Sequence, residues 1–510
     1  MTFEILGMMA ALIADKMRPG MVLFSVVVLF LCVGILTPKE MLEGFSNKGM
    51  ITVALLFLVS EGIRQSGTLG QVIKKLLPQG KTTVFKAQLR ILPSVAFISA
   101  FLNNTPVVVI FAPIIKHWAK SVKLPATKFL IPLSYVTILG GICTLIGTST
   151  NLVVHGMILE AGYEGFTMFE LGKVGIFIAI AGIIYLFIFS KRLLPDARPD
   201  TAVPDEEVEE GEKLHRVEAV LGARFPGINK KLSDFNFQRH YGAEVKEIKT
   251  RNGQRYVDHL EDVVLREGDT LVVMADDTFI PTWGESSVFV LLTNGNDPDT
   301  SGKKKRWLAL ILLVLMIVGA TVGELPATKE MFPDIKLDMF FFVCITTIIM
   351  AWTNIFPARK YTKYISWDIL ITIACAFAIS KAMVNSGVAD CVAGFIIGLS
   401  DDYGPHVLLA ILFVITNLFT ELITNNAAAA LAFPLALSIS AQLGVSPTPF
   451  FVVICMAASA SFSTPIGYQT NLIVQGIGNY KFTDFVRIGL PLNIITFLIS
   501  VILIPLIWNF

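Results

Sequence analysis

The sequence has 510 residues, of which 54% are hydrophobic and 16% are charged. This composition is too apolar for an ordinary soluble domain and is typical of a membrane protein. The formal net charge of +1 gives no indication of nucleic-acid binding. The six cysteines stand singly in apolar segments, so we expect neither a disulfide framework nor a cysteine-based metal site.

Apolar runs of membrane-spanning length recur along the chain. As a helix, such a run crosses about 30 Å of hydrocarbon, and we expect roughly ten crossings. The predicted fold class is an all-α polytopic membrane protein, multi-pass in the cell membrane and surrounded by the lipid bilayer. The runs that support this prediction include 21–36, 174–189, 308–320, 339–352, 365–380 and 490–507.

One segment breaks the membrane pattern. It begins with a Pro-rich acidic stretch (PDEEVEEGEK) and continues with short alternating runs such as EVKEIKT and DTLVVMADD, separated by NG and EGD turns. These runs predict a small α/β insert, and the basic cluster Lys303–Arg306 after it places the insert in the cytoplasm by the positive-inside rule. The predicted parts are membrane regions at 1–193 and 307–510, an acidic linker at 194–213, the insert at 214–280 and a second linker at 281–306.

Two ten-residue strings in the membrane regions are nearly the same. GTSTNLVVHG occupies 147–156 and GYQTNLIVQG occupies 467–476, a spacing of 467 − 147 = 320 residues. A second pair has a similar spacing, because NNT at 103–105 matches NNA at 425–427 with an offset of 425 − 103 = 322. This pattern predicts an internal duplication, with a binding site where the two halves meet.

The distribution of charge predicts the topology of each half. Lysine and arginine flank the first NNT string on both sides, so this segment starts and ends in the cytoplasm as a re-entrant hairpin. The equivalent segment of the second half has Asp401 and Asp402 at one end and no basic residue at either end. Its hairpin should therefore open to the outside, which makes the two halves inverted repeats, each with a re-entrant hairpin and a broken helix. The basic residues around the first hairpin are Lys74, Lys75, Lys81, Lys86, Arg90, Lys116, Lys120, Lys123 and Lys128.

The residue types at the breaks suit an anion and a cation. Gly147 and Gly467 permit a helix break, and backbone groups freed in hydrocarbon cost several kcal/mol unless something satisfies them. Half-helix N-termini can donate N–H groups to an anion, while freed carbonyls can coordinate a small hard cation. Asparagine and threonine also join membrane helices without any ligand. Because four such motifs occur at repeated positions, a binding site is the better interpretation.

These residues resemble a known family. The stretch ASASFSTPIGYQTNLIV at 458–474 is similar to the sodium:sulfate symporter signature, and the chain resembles the divalent anion:sodium symporters, which carry sulfate, dicarboxylates and citrate. The insert, with HRVEAVLGARFPGINKKL and LREGDTLVV, resembles an RCK C-terminal (TrkA-C) domain. The positions that carry the signature are Ser459, Phe462, Pro465, Gly467, Asn471 and Val474.

The resemblance implies a homodimer with an elevator mechanism and with Na⁺ as the coupling ion, without a covalent cofactor. Two sodium sites are implied, formed by Asn103, Asn104, Gly147 and Asn151 in the first repeat and by Asn425, Asn426, Gly467 and Asn471 in the second. The anionic substrate would lie between the hairpin tips, held by Asn104, Thr105, Thr148, Ser149, Asn426, Ala427, Tyr468, Gln469 and Thr470.

Departures from the family pattern bear on the substrate. The usual tips read Ser-Asn-Thr, whereas this chain has Asn103 and Asn425 at the Ser positions and Ala427 at a Thr position. Carboxylate carriers often have a Pro pair before the Asn of the broken helix, where this chain has Ser149–Thr150 and Gln469–Thr470. The expected function is therefore sodium-coupled import of sulfate or a similar small oxyanion. The alternative is transport of a di- or tricarboxylate such as succinate or citrate.

The membrane potential determines how many cations must accompany the anion. Import of an anion of charge −2 costs about 4.6 kcal/mol per 100 mV, twice the ~2.3 kcal/mol per elementary charge. Two cations would balance this charge, and three would let voltage drive uptake. Protons are the rival coupling ion, with Glu421 as the ionisable group.

A sensor that signals through the insert is an alternative of another class, and residues 214–280 are a candidate site for a small regulatory ligand. The sequence contains no recognisable pair of a nucleophile and a base, so it gives no indication of an enzyme.

Overall fold

The computed structural model describes residues 17–78, 80–196, 215–222, 225–250, 254–276, 288–293, 303–332, 335–398 and 404–510, with isolated positions before residue 17 and between 277 and 287. Within these residues, seven helices are long and apolar enough to cross a membrane, and five shorter apolar helices accompany them. The prediction of an all-α polytopic membrane protein is thereby confirmed. Most of the acidic linker, from residue 197 onward, and Asp401 and Asp402 lie outside the described residues.

The first repeat contains a hairpin of helices and a helix broken in its middle. The hairpin is α5–α6, and the broken helix is α7–α8. The helices of this repeat are α1 (Pro19–Cys32), α2 (Pro38–Glu43), α3 (Lys48–Gln65), α4 (Thr68–Leu76), α5 (Val84–Ser99), α6 (Asn104–Ser121), α7 (Leu130–Gly141), α8 (Ser149–Glu160) and α9 (Gly172–Leu193).

The second membrane region repeats this order after two further helices. Its hairpin is α17–α18, and its broken helix is α19–α20. The helices, numbered after helix α10 (Phe237–Tyr241) of the insert, are α11 (Lys303–Gly323), α12 (Pro326–Met331), α13 (Met339–Trp352), α14 (Tyr361–Tyr364), α15 (Trp367–Asn385), α16 (Val388–Gly398), α17 (Gly404–Leu422), α18 (Asn425–Leu443), α19 (Thr448–Ser459), α20 (Gln469–Gly478) and α21 (Phe482–Ile507).

The two repeats pack reciprocally. Helix α1 packs on α15 while its counterpart α13 packs on α3, and α6 packs on α20 while α18 packs on α8. Helices α9 and α21, which are counterparts, pack on each other. Exchanging the repeats leaves this set of contacts unchanged, as a pseudo-twofold axis requires. The spacing of 320 residues also holds for α1 and α13, since 339 − 19 = 320.

One helix between the repeats inverts the second repeat. From length and hydrophobicity we infer that helices α1, α3 and α9 and the broken pair α7–α8 each cross the membrane once, which is an even number of crossings, and that the α5–α6 hairpin returns to its own side. The first repeat therefore ends on the side where it begins. The single crossing of α11 then starts the second repeat on the opposite side, in agreement with the charge distribution.

The broken helices occupy the centre of the membrane region. Every residue of α7 is buried, and so are eleven consecutive residues of α19, Pro449–Ser459. A helix that is apolar all round is expected in such a buried position. Close packing against the hairpin requires a glycine at one point, because a Cβ on Gly140 would lie 2.1 Å from the carbonyl oxygen of Ala96 in α5.

The insert is a five-stranded antiparallel sheet with its own hydrophobic core. The strand order is β3-β2-β4-β1-β5, so the fifth strand extends the sheet to Thr293, past the predicted boundary at residue 280. Aromatic rings fill much of this core, including Phe225, Phe235 and Tyr241. The elements are β1 (His215–Leu221), α10 (Phe237–Tyr241), β2 (Glu244–Lys249), β3 (Arg255–Tyr256), β4 (Thr270–Ala275) and β5 (Phe289–Thr293).

The insert contacts helices from both repeats. Lys116, near the end of α6, places its Nζ 3.0 Å from both carboxylate oxygens of Glu218 in β1. At the far end of α20, a Cβ on Gly476 would lie 2.4 Å from Oγ1 of Thr270 in β4. Val220 of β1 is buried in the same hydrophobic cluster as the membrane helices. The insert therefore packs on the ends of α6 and α20 that are remote from their N-termini.

Candidate binding site between the two repeats

The two hairpin tips have the same internal geometry. Helix α6 begins at Asn104, whose Oδ1 accepts a hydrogen bond from Oγ of Ser99 at 2.7 Å. Helix α18 begins at Asn425, whose Oδ1 accepts one from Oγ1 of Thr420 at 2.9 Å. The structure thus aligns Asn104 with Asn425, with a spacing of 425 − 104 = 321, one residue away from the alignment that the sequence predicted. In this register Thr105 corresponds to Asn426.

The two helix breaks are held by the asparagine of each GxxTN string. The Nδ2 of Asn151 donates to the carbonyl of Thr144 at 2.9 Å. The Nδ2 of Asn471 donates to the carbonyls of Ser461 at 2.9 Å and Thr464 at 3.2 Å. The carbonyls freed where α7 and α19 end thereby find donors, which a helix end inside a membrane protein requires.

The first tip meets the second break through Tyr468. The Nδ2 of Asn104 donates to the hydroxyl of Tyr468 at 2.7 Å, and that hydroxyl lies 3.1 Å from Oγ1 of Thr148 in the first break. Beside this contact, Oγ1 of Thr105 donates to Oε1 of Gln469 at 3.4 Å. Gln469 is exposed whereas Asn104 is fully buried, so the cluster extends from the core to an accessible edge.

The second tip meets the first break in the same way. The Oδ1 of Asn426 accepts a hydrogen bond from Oγ1 of Thr150 at 3.2 Å and one from Oγ of Ser149 at 3.4 Å. Each tip thus contacts the broken helix of the other repeat. The structure brings together in one cluster most of the residues that the sequence assigned to substrate.

Four helix N-termini converge on this cluster, namely those of α6, α8, α18 and α20. The N-cap residues Asn103, Thr424 and Tyr468 make no side-chain cap hydrogen bond, while Thr148 caps α8 by accepting from the backbone N–H of Thr150. Each N-terminus carries a partial positive charge and N–H groups without intrahelical partners. Converging N-termini of this kind favour an anion.

Neutral oxygen atoms beside the first tip suit a hard cation. A Cβ on Gly141 would lie 2.7 Å from Oδ1 of Asn104, and a Cβ on Gly147 would lie 2.5 Å from the carbonyl oxygen of Gly141. Glycine at these positions therefore lets three chain segments approach closely. Asn151 is fully buried, and its Oδ1 has no hydrogen-bond partner among the described residues. A sodium ion is a hard cation that prefers such oxygen ligands, so the residues present fit it.

The second repeat offers a related but different set of oxygens. A Cβ on Gly467 would lie 2.5 Å from the carbonyl oxygen of Thr420 and 2.0 Å from Oγ of Ser461. Here Oδ1 of Asn471 has a partner, since it lies 2.7 Å from Oγ of Ser134. The described residues contain no group of three or more His, Cys, Asp and Glu side chains arranged to hold a metal. The oxygens that the structure places against Gly467 are therefore neutral.

Three predicted site residues lie apart from the hydrogen bonds between tips and breaks. Asn103 is half-buried and lines a small cavity of about 10 Å³ that Ser149 and Leu102 also line. Ala427 is buried in the first turn of α18 and offers no polar side chain. Thr470 is fully buried, with its Oγ1 2.8 Å from Oγ of Ser134.

Sequence reasoning missed several polar residues of this cluster. Ser99 and Thr420 could have been found, because each is a hydroxyl residue five positions before the tip asparagine that it binds. Ser134 could not have been found from the duplication, because the residue 320 positions later is Ile454. The hydroxyl of this serine contacts Thr470 and Asn471 of the second break, although the residue belongs to α7 of the first repeat.

The sequence matches a known family of membrane transporters. A family model described as citrate transporter (CitMHS) matches residues 9–439 and 331–510, which together include both repeats. The chain belongs to this citrate transporter family. Proteins similar to it include an uncharacterised transporter of Synechocystis sp., 30% identical over 95% of this chain and 93% of its own length.

Two relatives of this citrate transporter family member carry names that refer to sulfur. A protein of Chlamydomonas reinhardtii, provisionally named a sulfur deprivation response regulator, is 28% identical over 94% of this chain and 96% of its own length. Sodium/sulfate cotransporter 2 of the same organism is 30% identical over 55% of this chain and 31% of its own length. The expected resemblance to sodium-coupled anion symporters is confirmed at this level, and the protein is a membrane-embedded transporter of the citrate, sulfate and dicarboxylate type.

Proposed function

We propose that this protein imports sulfate, or a similar small divalent oxyanion, together with sodium ions. The observation that carries the proposal is the convergence of four helix N-termini from both repeats on one cluster of hydroxyl and amide groups. Helix N-termini attract anions without any basic side chain. The similarity to a sodium/sulfate cotransporter supports this choice of substrate.

The donors of the cluster favour a compact oxyanion. Hydroxyl groups of Ser149, Thr150 and Thr105 and the hydroxyl of Tyr468 approach from different helices. A tetrahedral anion presents oxygens in several directions and can accept from donors arranged in this way. A dicarboxylate is longer and needs two separate groups of donors, which is why it is the second choice.

Sodium would prepare the site for the anion. An ion bound by Asn104, Asn151 and the carbonyls near Gly141 would fix the first tip against the first break, beside the N-termini of α6 and α8. A second ion near Gly467 would fix the other tip in the same way. Both positive charges would then attract the divalent anion, and together they offset the voltage cost of moving it.

Reconstituted uptake tests this function. The purified protein in liposomes, under an inward sodium gradient, is expected to accumulate radiolabelled sulfate, and excess unlabelled sulfate should compete far better than succinate or citrate. Thr150→Val should weaken uptake, because it removes a hydroxyl that faces Asn426. Thr496→Val is the matched control, since the buried Thr496 hydroxyl bonds only within α21. Sulfate uptake that persists unchanged without sodium, or uptake of succinate that excess sulfate leaves unaffected, would refute the proposal.

Homodimer formation, elevator motion and a cytoplasmic TrkA-C-like insert belong to the same proposal. An insert that packs on the ends of α6 and α20 contacts two helices whose N-termini lie in the site. A small ligand bound to the insert could therefore regulate transport, and this contact also favours the sensor alternative. Sulfate uptake after a substitution at Glu218 that undocks the insert discriminates between a regulated carrier and a sensor. A regulated carrier keeps its sulfate flux, whereas a sensor need show none.

A further inference from the structure

A carboxylate lies beside the second helix break, and the first break has no counterpart to it. In the first repeat, Oγ1 of Thr144 donates to the carbonyl of Ala100. In the second, Oγ1 of Thr464 donates to the carbonyl of Glu421 at 3.1 Å. Since 464 − 144 = 320 and 421 − 100 = 321, Glu421 occupies the place of Ala100. The hydrogen bond from the threonine hydroxyl to this backbone carbonyl occurs in both repeats, whereas the carboxylate occurs only in the second.

The neighbours of Glu421 are also more polar than their counterparts. Its Oε1 accepts from the backbone N–H of Ser463 at 2.8 Å and from Nδ2 of Asn493 at 2.7 Å. The same Nδ2 lies 2.8 Å from Oγ of Ser463. The residue 320 positions before Ser463 is Cys143.

The counterpart of Asn493 follows from the packing of two glycines. Gly489 packs on the carbonyl of Phe462 and Gly175 on that of Ile142, which lies 462 − 142 = 320 positions earlier. Asn493 is four residues after Gly489, and Ala179 is four residues after Gly175. The cluster of Glu, Ser and Asn thus replaces Ala, Cys and Ala of the first repeat.

Two acceptor atoms of this polar cluster receive no hydrogen bond from the described residues. Glu421 Oε2 and Asn493 Oδ1 are buried atoms without a hydrogen-bond partner among the described residues, and Asn493 is only 6% exposed. Glu421 is partly buried as a residue, and its carboxylate accepts hydrogen bonds from Ser463 and Asn493. Among the described residues, no basic side chain forms an ion pair with it. The titratable side chain that faces it is Tyr135 of α7, whose hydroxyl donates to the carbonyl of Phe462. A buried carboxylate in a membrane protein requires a compensating positive charge.

We propose that Glu421, Ser463 and Asn493 form a binding site for one further Na⁺, in addition to the two sodium sites of the proposed function on which this inference rests. Thr464 connects this site to the second break. Its Oγ1 bonds to the Glu421 carbonyl and accepts from the N–H of Gly467, while its carbonyl accepts from Asn471. Cation binding at Glu421 is thus transmitted to the loop that holds the second sodium site. Three cations with a divalent anion carry one net positive charge into the cell in each cycle.

The voltage dependence of accumulation tests this stoichiometry. In liposomes with a fixed sodium gradient, one net charge per cycle should raise the final sulfate accumulation of the wild type about tenfold for each ~60 mV of interior-negative potential. Glu421→Gln removes one cation, so its accumulation should not respond to voltage. Glu324→Gln is the matched control, because Glu324 is a half-buried carboxylate that accepts one backbone N–H, from Met168. Accumulation that a pH gradient drives at equal sodium would identify the bound cation as a proton and would refute a third Na⁺ site.

A measurement of cation binding tests the proposal even if Glu421→Gln is inactive in transport. The melting temperature of the detergent-purified wild type should rise with sodium concentration at constant pH, and part of this rise should be lost in Glu421→Gln but kept in Glu324→Gln. Voltage dependence of Glu421→Gln equal to that of the wild type would overturn the proposal. If Glu421→Gln does not transport, a cation-dependent rise of its melting temperature equal to that of the wild type would also overturn the proposal. Absence of sulfate uptake by the wild type would refute the proposed function and leave the melting test of this site valid.

Discussion

Removing the hydroxyl of Tyr468 should separate the two repeats at the candidate site. This hydroxyl accepts from Asn104 of the first tip and lies 3.1 Å from Oγ1 of Thr148 in the first break. Tyr468→Phe keeps the ring and its packing while it deletes the atom that joins three chain segments. The substitution therefore tests whether the contact between the tip and the breaks determines binding.

The expected size of the effect follows from the group left behind. Asn104 is fully buried, and without the tyrosine hydroxyl its Nδ2 loses the acceptor at 2.7 Å. A buried donor without a partner costs about 1–3 kcal/mol. Because each ~1.4 kcal/mol is a factor of ten in an equilibrium constant, we expect sulfate to bind about 5- to 150-fold more weakly. Sodium affinity should fall with it, since Oδ1 of the same side chain lies at the first cation site.

Initial rates of sulfate uptake at varied sulfate and sodium concentrations measure both effects. Tyr185→Phe is the matched control, because the Tyr185 hydroxyl bonds to the carbonyl of Ile488 where α9 meets α21, away from the site. A KM for sulfate in Tyr468→Phe within about twofold of the wild-type value, with a fall in melting temperature equal to that of Tyr185→Phe, would show that Tyr468 serves packing alone.

Two further substitutions test the cation site and the insert. Gly141→Ala places a Cβ 2.7 Å from Oδ1 of Asn104, so sodium-dependent uptake and the melting temperature should both fall, and unchanged sodium dependence would contradict the assigned site. In the insert, burial acts to raise the pKa of Glu218, but Lys116 and Lys249 outweigh it and lower the pKa to about 2. The docking energy from this carboxylate is therefore present above pH 4.5 and is lost as the pH falls toward 2. Glu218→Gln should undock the insert at neutral pH, seen as faster proteolysis of the linkers, and cleavage at the wild-type rate would refute the role of this ion pair.

Local patterns predicted the breaks but could not fix the hairpin register. The GxxTN strings place both breaks because six of their ten residues are identical, which aligns the two strings without ambiguity. The tips contain two adjacent asparagines each, at 103–104 and 425–426, so sequence alone allows two alignments that differ by one residue. The hydrogen bonds from Ser99 and Thr420 select the alignment of Asn104 with Asn425.

Contacts between distant segments were beyond the reach of sequence reasoning. No local pattern indicates that Lys116 of α6 binds Glu218 of the insert, because the pair depends on how the insert packs. Ser134 is likewise an ordinary small residue in an apolar helix until the structure places it beside Thr470. By contrast, the strands at 244–249 and 270–275 were predictable, since alternation of side chains is a local signal.

The departures from repeat symmetry lie mainly around one break. Tyr468 replaces Thr148 as N-cap, Ser134 adds a hydroxyl beside Asn471, and Glu421 adds a charge beside Thr464. A perfectly duplicated frame would give two equivalent cation sites and an anion on the axis between them. Groups added only around the second break make that half more polar and its loop more strongly held. The anion should therefore lie off the axis, toward the N-terminus of α20, so that changes around the second break alter anion selectivity more than the equivalent changes around the first.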